Sequence, residues 1–77
     1  MTPNQITGKL IREARKRAGL RQHQLAAAVG VSRPSIVQYE RGGRPVSVDV
    51  LAKIANALGV RPAALMPTHG EIKSYGE

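Results

Sequence analysis

Residues 20–42 read LRQHQLAAAVGVSRPSIVQYERG, a pattern of two short helices separated by a glycine. From Gln22 to Val29 the apolar residues stand at Leu25, Ala26 and Val29, the spacing of one helical face. Gly30 follows at the place where a helix commonly ends on a left-handed residue. Val31 then leads to Ser32, whose hydroxyl suits the N-cap of a second helix running through Glu40. A connection limited to Gly30-Val31-Ser32 makes the two helices cross steeply instead of folding back as a hairpin.

Working outward, a first helix is expected to begin between Thr2 and Thr7 and to end at Ala18, with Thr2-Pro3-Asn4-Gln5 as its capping box. Ile6, Leu10, Ile11, Ala14 and Ala18 share its apolar stripe, and Gly19 stops it. Leu20 can staple onto Leu25, and Val31 onto Ile36. After a Gly42-Gly43-Arg44-Pro45 loop, Ser47 is the N-cap of a fourth helix, with Asp49 in its first turn and Val46 able to staple onto Leu51. Leu51, Ile54, Ala55 and Leu58 form its stripe, and Gly59 ends it. Arg61-Pro62 opens a short fifth helix through Met66, closed by Pro67. Thr68–Glu77 has no period and reads as a flexible tail, or an arm that orders on association. The expectation is an all-α, five-helix domain over residues 1–67 with a tail at 68–77.

The charge is strongly one-sided. Of twelve basic and five acidic residues, giving a net charge of +7, residues 1–46 hold nine basic side chains against Glu13 and Glu40, while residues 47–77 are balanced. The excess lies in the half that holds the glycine-linked helix pair, so the natural partner is a polyanion, bound with release of its counterions. With no cysteine, no Phe and no Trp, the core must be aliphatic and disulfides are excluded. No apolar run approaches a membrane span, and TPNQITGK lacks the apolar region of a signal peptide; a cytoplasmic protein is expected.

Two steeply crossing helices are the smallest device that holds one helix rigidly in the major groove of duplex DNA. Helical spacing turns Ile36 and Tyr39 inward and Arg33, Pro34, Val37, Gln38 and Arg41 outward. Arg33 can grip guanine O6 and N7 with two parallel hydrogen bonds, and Gln38 can pair with adenine N6 and N7. Pro34 and Val37 offer only shape or contact with a thymine methyl group. Pro34 lacks an amide, which costs nothing in a first turn, but it disfavours α geometry at Arg33, so a helix start displaced by one residue is an open alternative. Arg41, the backbone of Gly42-Gly43 and Arg44 follow this helix and are candidates to clasp phosphates. Ser35 is either a further phosphate contact or a plain first-turn residue. Gln22, at the positive end of its helix, suits a phosphate. Arg21 supplies no capping oxygen, a loss of ~1 kcal/mol set against a possible phosphate ligand. Arg12, Lys16 and Arg17 read as a solvated helix face that strengthens the field, and His23 as an exposed first-turn residue.

Arg15, Gly19-Leu20, Gln22, Leu25-Ala26, Val29-Gly30-Val31-Ser32, Ser35-Ile36, Glu40, Gly42 and the run LAKIANALGV at Leu51–Val60 together resemble the phage-repressor and Cro type of helix-turn-helix regulator, also called the xenobiotic-response-element family. The resemblance covers roughly residues 6–66. It implies a five-helix DNA-binding domain working as a homodimer on a palindromic operator. It also implies that Gln22 grips the DNA backbone and that Arg15 and Glu40 form a structural ion pair between the first and third helices. Arg21 departs from the family's usual Ser or Thr.

One recognition helix covers few base pairs, so a homodimer with reading helices one DNA turn apart, ~34 Å, is expected. Its candidate surface is Leu58, Val60, Ala64, Leu65 and Met66, the alternative being that these complete the protomer's own core. The rival function is a protein-binding module of the same family, such as an antitoxin, with Ile72 and Tyr75 facing a toxin. Five acidic residues without catalytic spacing, no Ser-His-acid set and no phosphate loop argue against an enzyme. Two histidines without cysteine argue against structural zinc, and no cofactor is expected.

Overall fold

A computed structural model describes residues 1–67, and among these every regular element is helical. The order is α1 (Pro3–Arg17), α2 (Gln22–Val29), α3 (Arg33–Arg41), α4 (Val48–Leu58) and a turn of 3₁₀ helix, Pro62–Leu65. The fifth element is thus a single 3₁₀ turn and not an α-helix: it spans only four residues, and the chain is extended again at Met66 before Pro67. The tail expected at 68–77 lies outside the described residues.

The helix ends follow the capping chemistry of the sequence. The Thr2 hydroxyl accepts from the Gln5 amide at 3.1 Å, and the Gln5 carboxamide accepts from the Thr2 amide at 2.8 Å, with Pro3 in the first helical position. Ser32 and Ser47 accept from the amides of Ser35 and Val50, each at 3.2 Å. Arg33 opens α3 with Pro34 next to it, so the helix start is not displaced. Gly30 has φ 81°, and the amides of Gly30 and Val31 both turn back to the Ala26 carbonyl, at 2.9 and 3.1 Å, which makes the sharp corner between α2 and α3.

The core joins Ile11 and Ala14 of α1, Leu25, Ala26 and Val29 of α2, Ile36 and Tyr39 of α3, the α4 stripe Leu51, Ile54, Ala55 and Leu58, and Leu65. Leu20, Val31 and Val46 pack against it from the loops. Two expectations need correction. Ala18 is exposed: it is the C-cap residue, just past the end of α1 at Arg17, and the buried face of the helix ends with Ala14 and Arg15. Leu58 and Leu65, candidates for a dimer surface, are 9% and 1% exposed and belong to the chain's own core. Val60 is half-buried against that core, which leaves Ala64 and Met66 exposed at this end of the molecule.

Helix α3 packs against both α1 and α2, and two features set its place. The first is a close crossing. A Cβ on Gly8 would collide with the Tyr39 carbonyl oxygen and stand 2.7 Å from that of Glu40, so α1 lies directly on the backbone of α3. The second is an ion pair. Arg15 Nε donates to Glu40 Oε2 at 2.6 Å, Nη2 to Oε1 at 3.1 Å, and Nη1 to the Leu20 carbonyl at 2.9 Å. The two side chains are 10% and 4% exposed, so the bridge is buried and has two parallel bonds.

Gly8→Ala is expected to lower stability by ~1–3 kcal/mol through overpacking, although alanine is the better helix former. Denaturant unfolding checks it, and an unchanged or raised midpoint opposes the close crossing. Glu40→Gln leaves the buried guanidinium without its counter-charge and is expected to cost ~3–5 kcal/mol by the same measurement; a loss under ~1 kcal/mol would mean that the pair is no more than a surface bridge.

Candidate nucleic-acid interface

The outward edge of α3 is built by its inward one. Ile36 and Tyr39 are buried, and a helix fixed by them turns Arg33, Pro34, Gln38 and Arg41 to the exterior with Val37 half-covered between them. The candidate base-reading residues Arg33, Pro34, Val37 and Gln38 therefore lie along one surface. The one carboxylate on α3, Glu40, lies on the flank of that surface, where both of its oxygens accept from Arg15 or Gln22, so its charge is offset beside the reading edge.

On one flank of α3 lies a cleft of about 520 Å³ lined by Arg12, Arg15, Gln22, Arg33, Val37, Glu40 and Arg41. A second cleft, about 350 Å³, continues past Arg33 to Arg21, Gln22 and His23 at the start of α2. Gln22, the candidate phosphate ligand, donates from Nε2 to Glu40 Oε1 at 3.1 Å. That atom carries two hydrogens, so one remains for an acceptor in the cleft. Arg21 makes no side-chain cap; the Gln24 carboxamide accepts from its amide at 2.8 Å. Its guanidinium stays at the rim of the cleft, where a phosphate could sit.

The other flank is held by Arg44. Its Nη1 donates to Ser35 Oγ at 3.1 Å, and its guanidinium lies over the Tyr39 ring, 5.5 Å from the centroid. Ser35 Oγ is also 2.9 Å from Ser32 Oγ, so this hydroxyl takes part in a network that aims Arg44 alongside α3. Gly43 requires a correction. Its amide donates to the Gln38 carbonyl at 3.0 Å and the Gly42 amide to that of Tyr39 at 3.1 Å, so both amides close the end of α3 and neither is free to clasp a phosphate. What Gly43 supplies is space, since a Cβ there would stand 2.6 Å from Gln38 Oε1. Only the folded loop reveals this, because nothing in the local sequence pairs residues 38 and 43.

Arg12 is the residue that pattern reading passed over. By pattern it belongs with Lys16 and Arg17 as solvated charge, yet it lines the large cleft together with Arg33, while Lys16 and Arg17 line none of these clefts. The signal in the sequence was its position one helical turn before Arg15 on the same side of α1.

Known proteins share this arrangement. The helix-turn-helix family model matches residues 11–65. An uncharacterised HTH-type transcriptional regulator of Mycobacterium tuberculosis is 47% identical over 58 residues, which are 75% of this chain and 41% of the relative, so the chain spans less than half of that protein's length. The restriction-modification controller protein C.AhdI from Aeromonas hydrophila superposes with a TM-score of 0.79 at 36% identity, covering 82% of this chain and 96% of that one. The P22 c2 repressor protein, solved in complex with a synthetic operator, superposes with a TM-score of 0.75 at 35% identity, covering 80% and 94%. A portion of HppE has the same architecture, with a TM-score of 0.79 at 25% identity over 86% of this chain and 35% of that one. Architecture alone therefore does not settle function, and the matched sequence and the basic reading edge carry the assignment. From its matched sequence, its glycine-cornered helix pair and its buried Arg15–Glu40 bridge, this chain belongs to the Cro/C1-type helix-turn-helix family of transcriptional regulators.

Proposed function

We propose that residues 1–67 form a sequence-specific, double-stranded-DNA-binding repressor domain that acts as a homodimer on a palindromic operator, with α3 in the major groove. The observation that carries this reading is the edge of α3: two candidate base readers, Arg33 and Gln38, on one surface between two cationic flanks. Arg33 reads guanine, Gln38 reads adenine, and Pro34 and Val37 fit thymine methyl groups. Arg21, Gln22, Arg41 and Arg44 hold phosphates, with Ser35 positioning Arg44. The chain needs no cofactor and performs no catalysis in this role. The likeness to a repressor solved on its operator supports the repressing role. A helix of nine residues touches few base pairs, which favours two copies on an inverted repeat. Ala64 and Met66, with the edge of Val60, are the surface of the expected dimer candidates that remains exposed at least in part. The competing role as an antitoxin rests on Ile72 and Tyr75, which lie outside the described residues.

Selection of bound duplexes from a random library, read at two salt concentrations, tests this function. An inverted repeat is expected; enrichment of a single half-site would count against the dimer, and no enrichment would count against sequence-specific binding altogether. Arg33→Ala is expected to relax one position in each half-site by ~1–3 kcal/mol, whereas Arg44→Ala weakens all sequences alike and lowers the salt slope by about one. Gly43→Ala displaces the Gln38 carboxamide, so it should change base preference at one position per half-site and leave the salt slope as it was. A changed slope with unchanged preference would assign Gly43 to the phosphates instead.

A further inference from the structure

We propose that α1 is itself part of the nucleic-acid interface: Arg12, together with Arg41 of α3, binds a DNA backbone phosphate on the flank of the groove that α3 enters. The proposal rests on the DNA-binding reading above and names a contact that the helix pair α2–α3 does not supply.

Three observations converge on it. Arg12 and Arg41 line two adjoining clefts in common, the large one that runs to Gln22 and Arg33, and a third of about 350 Å³ that runs to Met1, Gln5 and Lys9. The carboxylate shared by both clefts is Glu40, and its two oxygens already accept from Arg15 and Gln22. Among the described residues no carboxylate pairs with Arg12 or Arg41, so their charge is available to an outside anion. The backbone fit of Gly8 against Tyr39 and Glu40, and of Gly42 against Gln5, brings α1 flush with the end of α3. A side chain at either glycine would collide with the facing backbone and force α1 and the end of α3 apart.

Groove dimensions then supply the partner. An α-helix with its side chains is ~10–12 Å across and the major groove of B-DNA is ~12 Å wide, so an inserted helix fills the groove and its two flanks face the phosphate walls. Arg44 occupies one flank, and the cleft with Arg12 occupies the other. Arg12 is a backbone-positioning residue on this account: it adds affinity for every duplex and reads no base.

The test compares Arg12→Ala with Arg17→Ala, which removes the same charge from the same helix but from outside the clefts. Binding of the selected duplex is titrated at about 50 and about 200 mM salt. Arg12→Ala is expected to lower the salt slope by about 0.9 relative to the unaltered protein, which narrows the affinity ratio between the two salt concentrations by about 3.5-fold. Arg17→Ala should lower the slope by less than about half as much, through the long-range field alone. Arg12→Gln, which keeps a long side chain without the charge, should match Arg12→Ala, and Arg12→Lys should keep most of the slope. Equal slopes for Arg12→Ala and Arg17→Ala, whether both fall or neither does, overturn the inference while leaving the DNA-binding reading intact. If the unaltered protein binds no duplex, that reading falls and the inference falls with it.

Discussion

The bridge between Arg15 and Glu40 is the constraint on which the rest of the molecule depends. It joins residues 25 positions apart, and the three nitrogens of Arg15 reach the carboxylate of α3 and the carbonyl of Leu20 in the loop before α2. Gln22 completes the set by donating to the same carboxylate from the first position of α2. One cluster therefore sets the mutual orientation of three helices in a domain whose core contains one aromatic ring and otherwise only aliphatic side chains. A small aliphatic core constrains helix angles loosely, since Leu, Ile and Val can repack with little loss. Directional hydrogen bonds to a buried carboxylate do not allow that freedom.

The same cluster has an electrostatic consequence. A carboxylate at the end of a helix bound for a polyanion would repel it. With Arg15 and Gln22 holding Glu40, the charge of the surface around α3 is set by Arg12, Arg21, Arg33, Arg41 and Arg44. Folding stability and affinity for a polyanion are thereby served by one contact, and both would suffer if it were broken.

Two glycines act on the geometry in a different way. Gly8 and Gly42 carry no side chain where α1 meets the end of α3, so the two backbones approach more closely than any larger residue would permit. Gly42 also sits at φ 75°, so its place at the C-terminus of α3 has both a conformational and a steric reason. The result is a surface in which α1, the turn before α2 and α3 all contribute cations to adjoining clefts on one flank.

Much of this was legible in the residues themselves. Thr2-Pro3-Asn4-Gln5, Ser32, Ser47, Gly30 and Gly59 mark helix ends through bonds made within a few positions, and Leu25, Ala26 and Val29, like the α4 stripe, declare their buried face by spacing. Local chemistry determines such features, so the chain alone suffices for them. Family resemblance supplied the pairing of Arg15 with Glu40, which no local rule gives. At Pro62–Leu65 a run of small apolar residues after proline fits an α-helix and a 3₁₀ turn alike, so the pattern does not distinguish them.

Other features depended on where distant segments meet. Leu58 and Leu65 could equally have faced a second protomer, and only the packing of α4 and the 3₁₀ turn onto the rest of the core decided for the interior. The approach of Gly8 to Tyr39, the clearance of Gly43 for Gln38 and the place of Arg12 beside Arg41 are relations between surfaces that exist only once helices cross. The sequence determined the helices, their caps, their buried faces and the basic half of the chain, because short-range hydrogen bonding, periodicity and charge are properties of neighbouring residues. Tertiary structure decided which cations share a flank and which apolar residues remain exposed, because those are set by crossing angles and contact distances that no local pattern encodes.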